Sequence, residues 1–167
     1  HAYQGGLLHH VVSLMELVDV VAPKYPDVDR DLVLIGVLLH DLSKIDELSY
    51  EKGFEYTDEG QLVGHLVMGV ELLGKMIRDW EAANSDVFPK DLAIQLKHLI
   101  VSHHGEYEFG SPKLPMTLEA VMLHFLDNMD AKLFQFSQAM SSEANPDSQW
   151  TPYIASIGRK LYKNSRG

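Results

Sequence analysis

Apolar residues recur at helical spacing along most of this chain and lose that spacing in one stretch, a contrast that outlines its elements. From Leu7 to Val21 they fall three and four apart, and the run stops before Pro23 and Pro26, which break helices. This predicts a first helix, with His10 on it. Asp27 or Asp29 is placed to cap a second helix, whose run Leu32-Val33-Leu34-Ile35-Gly36-Val37-Leu38-Leu39 is apolar on every side and is expected to be the buried central helix. That helix delivers His40 and Asp41 at its C-terminal end. Between Leu42 and Gly60 the periodicity fails, and Leu48-Ser49-Tyr50 and Phe54-Glu55-Tyr56 flank Lys52-Gly53 as a small hairpin or a loop would.

Beyond it a third helix is predicted from about Gly60 to Ala83, with His65 near its start and Leu66, Val70, Leu73 and Ile77 on one face. A fourth runs from about Pro89, suited to a first-turn position, to Ser102; Leu92, Leu96, Leu99 and Ile100 pack inward and His103 and His104 follow. Gly105 to Pro115 reads as loop. A fifth helix, roughly Thr117 to Met140, carries Asp127, and Asn145-Pro146-Asp147 marks a break before a weaker terminal segment. The pattern predicts an all-α bundle of about five to six helices, a small hairpin near 48–56, and a tail or helix over 141–167.

Composition narrows the chemistry. A chain of 167 residues that is 46% hydrophobic can bury one sizeable core. With no cysteine, thiolate metal sites, disulfides and cysteine nucleophiles are excluded, leaving His, Asp and Glu as strong ligands. No apolar run is read as reaching the roughly 18 residues of a membrane span, and no signal peptide is seen, so a cytoplasmic protein is expected. The formal charge of -10 argues against a nucleic-acid grip by this domain alone, although ordinary solubility accounts for most of these carboxylates. The start at His1-Ala2-Tyr3, without an initiator Met, suggests a fragment of a longer protein.

His40-Asp41, with Lys44 after it and His10, His65, His103-His104 and Asp127 around it, can ligate one or two divalent metals, because a carboxylate with two oxygens can bridge cations. Such a donor set suits Mn, Fe, Zn, Co, Mg or Ni. A metal-dependent hydrolase is the leading reading. His98 and His124 are expected to be hydrogen-bonded structural histidines, and Asp130, three residues after Asp127, is the rival for its role.

In order along the chain, His10, His40-Asp41 and Asp127 resemble the H…HD…D signature of the HD-domain metal-dependent phosphohydrolase superfamily. More closely, Gly5-Gly6-Leu7-Leu8, the stretch from Tyr56 to His65, Ser102-His103-His104-Gly105-Glu106, Phe109-Gly110-Ser111-Pro112 and the stretch from Leu126 to Lys132 are similar to the HD domain of YhaM-type 3′→5′ exoribonucleases. The resemblance covers most of residues 1–140. His9 stands where that family commonly has Glu, so His9 either approaches a metal itself or changes what surrounds one.

The resemblance implies two cations, Mn first among the candidates, with Asp41 bridging them. His10, His40 and Asp127 would complete one site and His65, His103 and His104 the other. A water activated by the metals would attack the scissile phosphorus, and Lys44 would reach a phosphate oxygen or the leaving group. Glu106, Tyr107, Phe109 and Ser111 are candidates to line a substrate groove, Tyr107 or Phe109 by stacking on a terminal base. The implied activity is 3′→5′ hydrolysis of single-stranded RNA, or DNA, with RNA capture by an N-terminal OB-fold domain outside this chain. The alternatives are an HD-type nucleotidase or cyclic-nucleotide phosphodiesterase, and a non-catalytic nucleotide-sensing domain.

Overall fold

The first apolar run folds as helix α1, Gly6–Val21, in the computed structural model, which describes residues 5–49, 55–141 and 147–163. His10, Leu14 and Val18, four residues apart, form its buried line. A 3₁₀ turn at Ala22–Lys24, opened by Pro23, ends it. Among the described residues Gly6–Lys24 is the one stretch whose length and composition alone would suit a membrane span. Its Leu14 and Val18 lie instead in the core of the first unit, while Glu16 and Asp19 are exposed.

Helix α2, Arg30–Leu39, starts where the Asp29 carboxylate accepts from the Leu32 N–H at 3.1 Å. It packs on α1 and on α6 (Lys90–Ser102), burying Leu32, Val33, Gly36 and Val37. Ile35 and Leu38 are exposed, so the all-round burial expected of this helix is corrected to burial on one face. Gly36 permits the close approach of α6: a Cβ there would stand 2.8 Å from Leu99 Cδ1.

The stretch without periodicity holds two helices too short for a pattern to reveal, α3 (Lys44–Glu47) and α4 (Asp58–Leu62). Between them the expected hairpin forms from β1, Leu48–Ser49, and β2, Glu55–Tyr56, paired antiparallel as Leu48 with Tyr56 and Ser49 with Glu55. The Lys52-Gly53 turn lies outside the described residues, as do His1-Ala2-Tyr3 and Asn145-Pro146. The single helix expected from Gly60 is divided: Gly64, at φ +79°, interrupts the chain, and α5 runs His65–Asn84. Pro89 caps α6 from outside rather than opening its first turn.

Helix α7 spans Leu118–Ser141. Leu14, Val18, Val33, Val37, Leu99, Ile100, Ala120 and Leu123 make the centre of the core in the unit His1–Asn128. Val18 is fully buried, Met15 packs against the core and Met76 is exposed.

The second unit, Met129–Gly167, contains the end of α7 and a short ribbon. Antiparallel bridges pair Trp150 with Tyr162 and Ile154 with Arg159. Thr151 and Leu161 are buried, and the Thr151 N–H donates to the Leu161 carbonyl at 2.9 Å.

Candidate metal centre

Helix ends assemble this site. His40 follows the last residue of α2 and His103 the last residue of α6, and each gives its Nδ1 hydrogen to the carbonyl three residues back, Val37 or Ile100, at 2.8 Å. The last carbonyls of a helix have no partner within it, so two termini use the same solution twice. A carbonyl only accepts, which puts the hydrogen of each neutral ring on Nδ1 and leaves the Nε2 lone pair facing inward. His104 follows the same rule, donating from Nδ1 to the Phe109 carbonyl at 2.9 Å.

His65 is oriented by a carboxylate. As the first residue of α5 it has a backbone N–H without a helical partner, and Glu47 Oε1 accepts that N–H at 3.0 Å and the ring Nδ1–H at 3.1 Å. The division at Gly64 makes this possible, since a helix continuous from Gly60 would already have used the His65 N–H. Glu47 is buried at the end of α3 and was missed by sequence reasoning. Its only signal was a place three residues after Lys44, in a stretch where no period marked an inward face.

Asp41 sits among these rings and is almost completely buried. Its Oδ1 lies 3.5 Å from the Nε2 of both His65 and His103, and its Oδ2 lies 3.4 Å from His40 Nε2 and 2.7 Å from Lys44 Nζ. The two oxygens thus address different histidines. His10 Nε2 lies 3.0 Å from Asp127 Oδ1, and the His10 and His40 ring centroids are 5.6 Å apart. Three groups result whose donor atoms lie within 4.8 Å of one another: His10, His40 and Asp127; His40, Asp41 and His103; His65, His103 and His104.

The electrostatics fit a cation. Burial alone would raise the Asp41 pKa, yet the charge of His40, with His103 and Lys44, holds it well below the usual carboxylate range. His10 similarly overcomes burial to lower Asp127. Burial pushes His103 down to about 4 and lowers His104, which favours the neutral rings that a metal would need. His40 moves the other way, its burial outweighed by Asp41. Buried His40 Nε2 and Asp41 Oδ1 have no hydrogen-bond partner, an arrangement that a divalent ion bound by nitrogen and carboxylate oxygen would satisfy.

All seven predicted ligand positions therefore meet in the first unit. Asp127, not Asp130, joins them, and His9 is exposed and outside the three groups. His98 Nε2 accepts the Met116 N–H at 2.9 Å, and His124 Nδ1 donates to the His103 carbonyl at 2.8 Å, the structural roles expected of both. Glu106, Tyr107 and Phe109 lie exposed in the loop whose Phe109 carbonyl holds His104. Ser111 is buried, and its hydroxyl pins that loop to the Val101 and Lys113 carbonyls instead of lining a surface. Gly105 is required by its surroundings: at φ +80°, a Cβ would fall 2.0 Å from the His124 ring.

A helical domain with histidines and aspartates in the order H…HD…D defines the class, and the chain belongs to the HD domain family, which matches residues 7–132. HD domains bind divalent metals. Among curated proteins, the 3′-5′ exoribonuclease YhaM of Bacillus velezensis is 41% identical over 163 residues, covering 98% of this chain and 50% of that protein. The YhaM enzymes of Bacillus subtilis and Bacillus licheniformis are each 40% identical over the same length. The chain spans about half the length of these relatives. No solved structure matches it.

Proposed function

We propose that this chain is the catalytic part of a metal-dependent 3′→5′ exoribonuclease acting on single-stranded RNA. The observation that carries the reading is Asp41, whose oxygens face separate histidine groups, in a chain 41% identical to an enzyme named for that activity. His10, His40 and Asp127 would hold one ion, His65, His103 and His104 a second, and Asp41 would serve both. The nitrogen and carboxylate donors, without thiolate, suit Mn first, with Fe, Co, Zn, Mg and Ni as alternatives. When bound, such ions polarise phosphoryl oxygens and activate water.

The chain's own residues prepare that chemistry. Four histidines keep their Nδ1 hydrogens on fixed acceptors, so four ring orientations are set before any ligand arrives. Lys44 spends one of its three donors on Asp41 and is one-third exposed, which leaves its ammonium able to bind a phosphate oxygen. The exposed rings of Tyr107 and Phe109, on the loop that holds His104, suit stacking on a terminal base, with Glu106 beside them. Residues 1–140 form the HD domain in this reading, and an OB-fold domain outside this chain supplies the main RNA grip in the cytoplasm.

End-labelled single-stranded RNA, incubated with this chain and with the longer protein in Mn²⁺ or chelator, tests the proposal. Stepwise, metal-dependent release of mononucleotides from the 3′ end is expected. Hydrolysis of nucleotides or small phosphodiesters with RNA left intact by both proteins would overturn it in favour of the small-substrate alternative.

A further inference from the structure

The C-terminal ribbon has a composition opposite to that of the rest of the chain. After Asp147 the sequence contains Arg159, Lys160, Lys163 and Arg166 and no acidic residue, in a chain whose formal charge is -10. The same stretch presents Trp150, Tyr153 and Tyr162, which are 50%, 63% and 46% exposed. Scattered exposed aromatics are common, but these three share one short ribbon with a concentration of cations.

The ribbon is ordered by its own bonds. The Thr151 N–H donates to the Leu161 carbonyl at 2.9 Å, the Lys163 N–H to the Gln149 carbonyl at 2.6 Å, and the Leu161 N–H to Thr151 Oγ1 at 2.9 Å. Thr151 and Leu161 are buried, and neighbouring residues of an extended chain face opposite sides. Their neighbours Trp150 and Tyr162, paired directly across the ribbon, are therefore on its open side. The two rings meet edge to face with centroids 5.1 Å apart, and the Tyr162 hydroxyl donates to Gln149 Oε1 at 2.9 Å. Lys160 lies two residues from Tyr162, and Arg159 is exposed at the Ile154 bridge with its guanidinium 6.0 Å from the Phe136 ring centroid.

We infer that this ribbon is a second contact surface for single-stranded RNA, in which Trp150 and Tyr162 take bases by stacking and Lys160, two residues from Tyr162 and so on the same side, takes a phosphate. Aromatic faces beside cations bind any base, as an enzyme that consumes every nucleotide in turn requires. A second copy of this chain is the poorer occupant, since a two-fold contact would set the same cations against each other. The inference deepens the exoribonuclease reading and rests on it for its ligand.

The test measures anisotropy of a labelled oligouridylate in chelator, where no turnover occurs, alongside Mn²⁺-dependent hydrolysis of bis(p-nitrophenyl) phosphate. Trp150→Ala is expected to weaken RNA binding about 5- to 100-fold, and Trp150→Phe to retain most of it. Lys160→Glu should weaken binding and flatten its salt dependence, by about 0.7 in the logarithmic slope for each phosphate no longer neutralised. Hydrolysis of the small diester should be unchanged in all three variants. Wild-type RNA affinity in both Trp150→Ala and Lys160→Glu would overturn the inference, and so would a change of oligomeric state in Trp150→Ala at unchanged RNA affinity. Lys160→Glu alters only an exposed side chain, so it keeps the test valid if Trp150→Ala unfolds the ribbon. A wild-type chain that binds RNA through the ribbon but hydrolyses no diester would count against the exoribonuclease reading alone.

Discussion

The Nε2 atoms of His65 and His104 lie 3.2 Å apart while Nδ1 of each ring faces a fixed acceptor, Glu47 for one and the Phe109 carbonyl for the other. Two neutral rings so held would oppose lone pairs, and a shared proton or a cation removes the conflict. Glu47 thus sets the side of His65 that faces the site. Glu47→Gln is expected to weaken one of two Mn²⁺ binding steps by about 10- to 100-fold and spare the other. Calorimetric titration reads both, and two unchanged steps would refute the role assigned to Glu47.

Asp41→Ala removes the one carboxylate that faces both histidine groups. Hydrolysis should disappear and bound metal should fall, because Asp127, the carboxylate that remains, groups with His10 and His40 and not with His65 and His104. The fold should survive with a cost of about 1–3 kcal/mol for leaving Lys44 without its partner, since Leu14, Val33, Leu99 and Leu123 are untouched. Metal analysis and a thermal melt on one sample decide this, and full metal retention would contradict the bridging role.

Gly105→Ala tests whether the residue after His103-His104 must lack a side chain. A positive φ costs roughly 1–2 kcal/mol and the clash with the His124 ring about 1–3 kcal/mol more. A melting temperature lower by roughly 5–15 °C is expected, together with weaker metal binding, because His124 holds the His103 carbonyl. A variant that melts like the wild type would show that the loop yields easily.

Stability of the metal-stripped chain should fall on both sides of neutrality. Burial holds His103 at about 4 while the unfolded ring titrates near 6.5, so from about pH 6.5 down toward 4 the unfolded chain takes up a proton that the folded chain refuses. Up to about 3 kcal/mol of stability disappears across that window, and His104 acts in the same direction. His40 has the opposite sign: with its pKa raised, its contribution is complete below about 6.5 and disappears as pH rises through the raised value. Urea denaturation in chelator at pH 5, 6.5 and 8 should show a maximum at the middle value. Equal stability at all three would contradict both assignments.

Much of this architecture is legible in the sequence because a helix long enough to repeat its apolar face leaves a period. Leu7 to Val21, Pro89 to Ser102 and Thr117 to Met140 fall within one or two residues of α1, α6 and α7. Short elements leave none, so α3 and α4 have no visible signature and the apolar spacing runs on across Gly64 from α4 into α5. The exposure of Ile35 and Leu38 is equally hidden, because an apolar run does not say which faces will find neighbours.

By itself the sequence determined the helical class and singled out the candidate ligands, since periodicity and the choice of His, Asp and Cys are written residue by residue. Only the tertiary structure decided which Asp of α7 joins the site, which nitrogen of each ring faces inward, and that Glu47 orients His65. Those facts depend on distances between segments far apart in the chain, such as Glu47 from His65 and His124 from His103, and folding sets those distances.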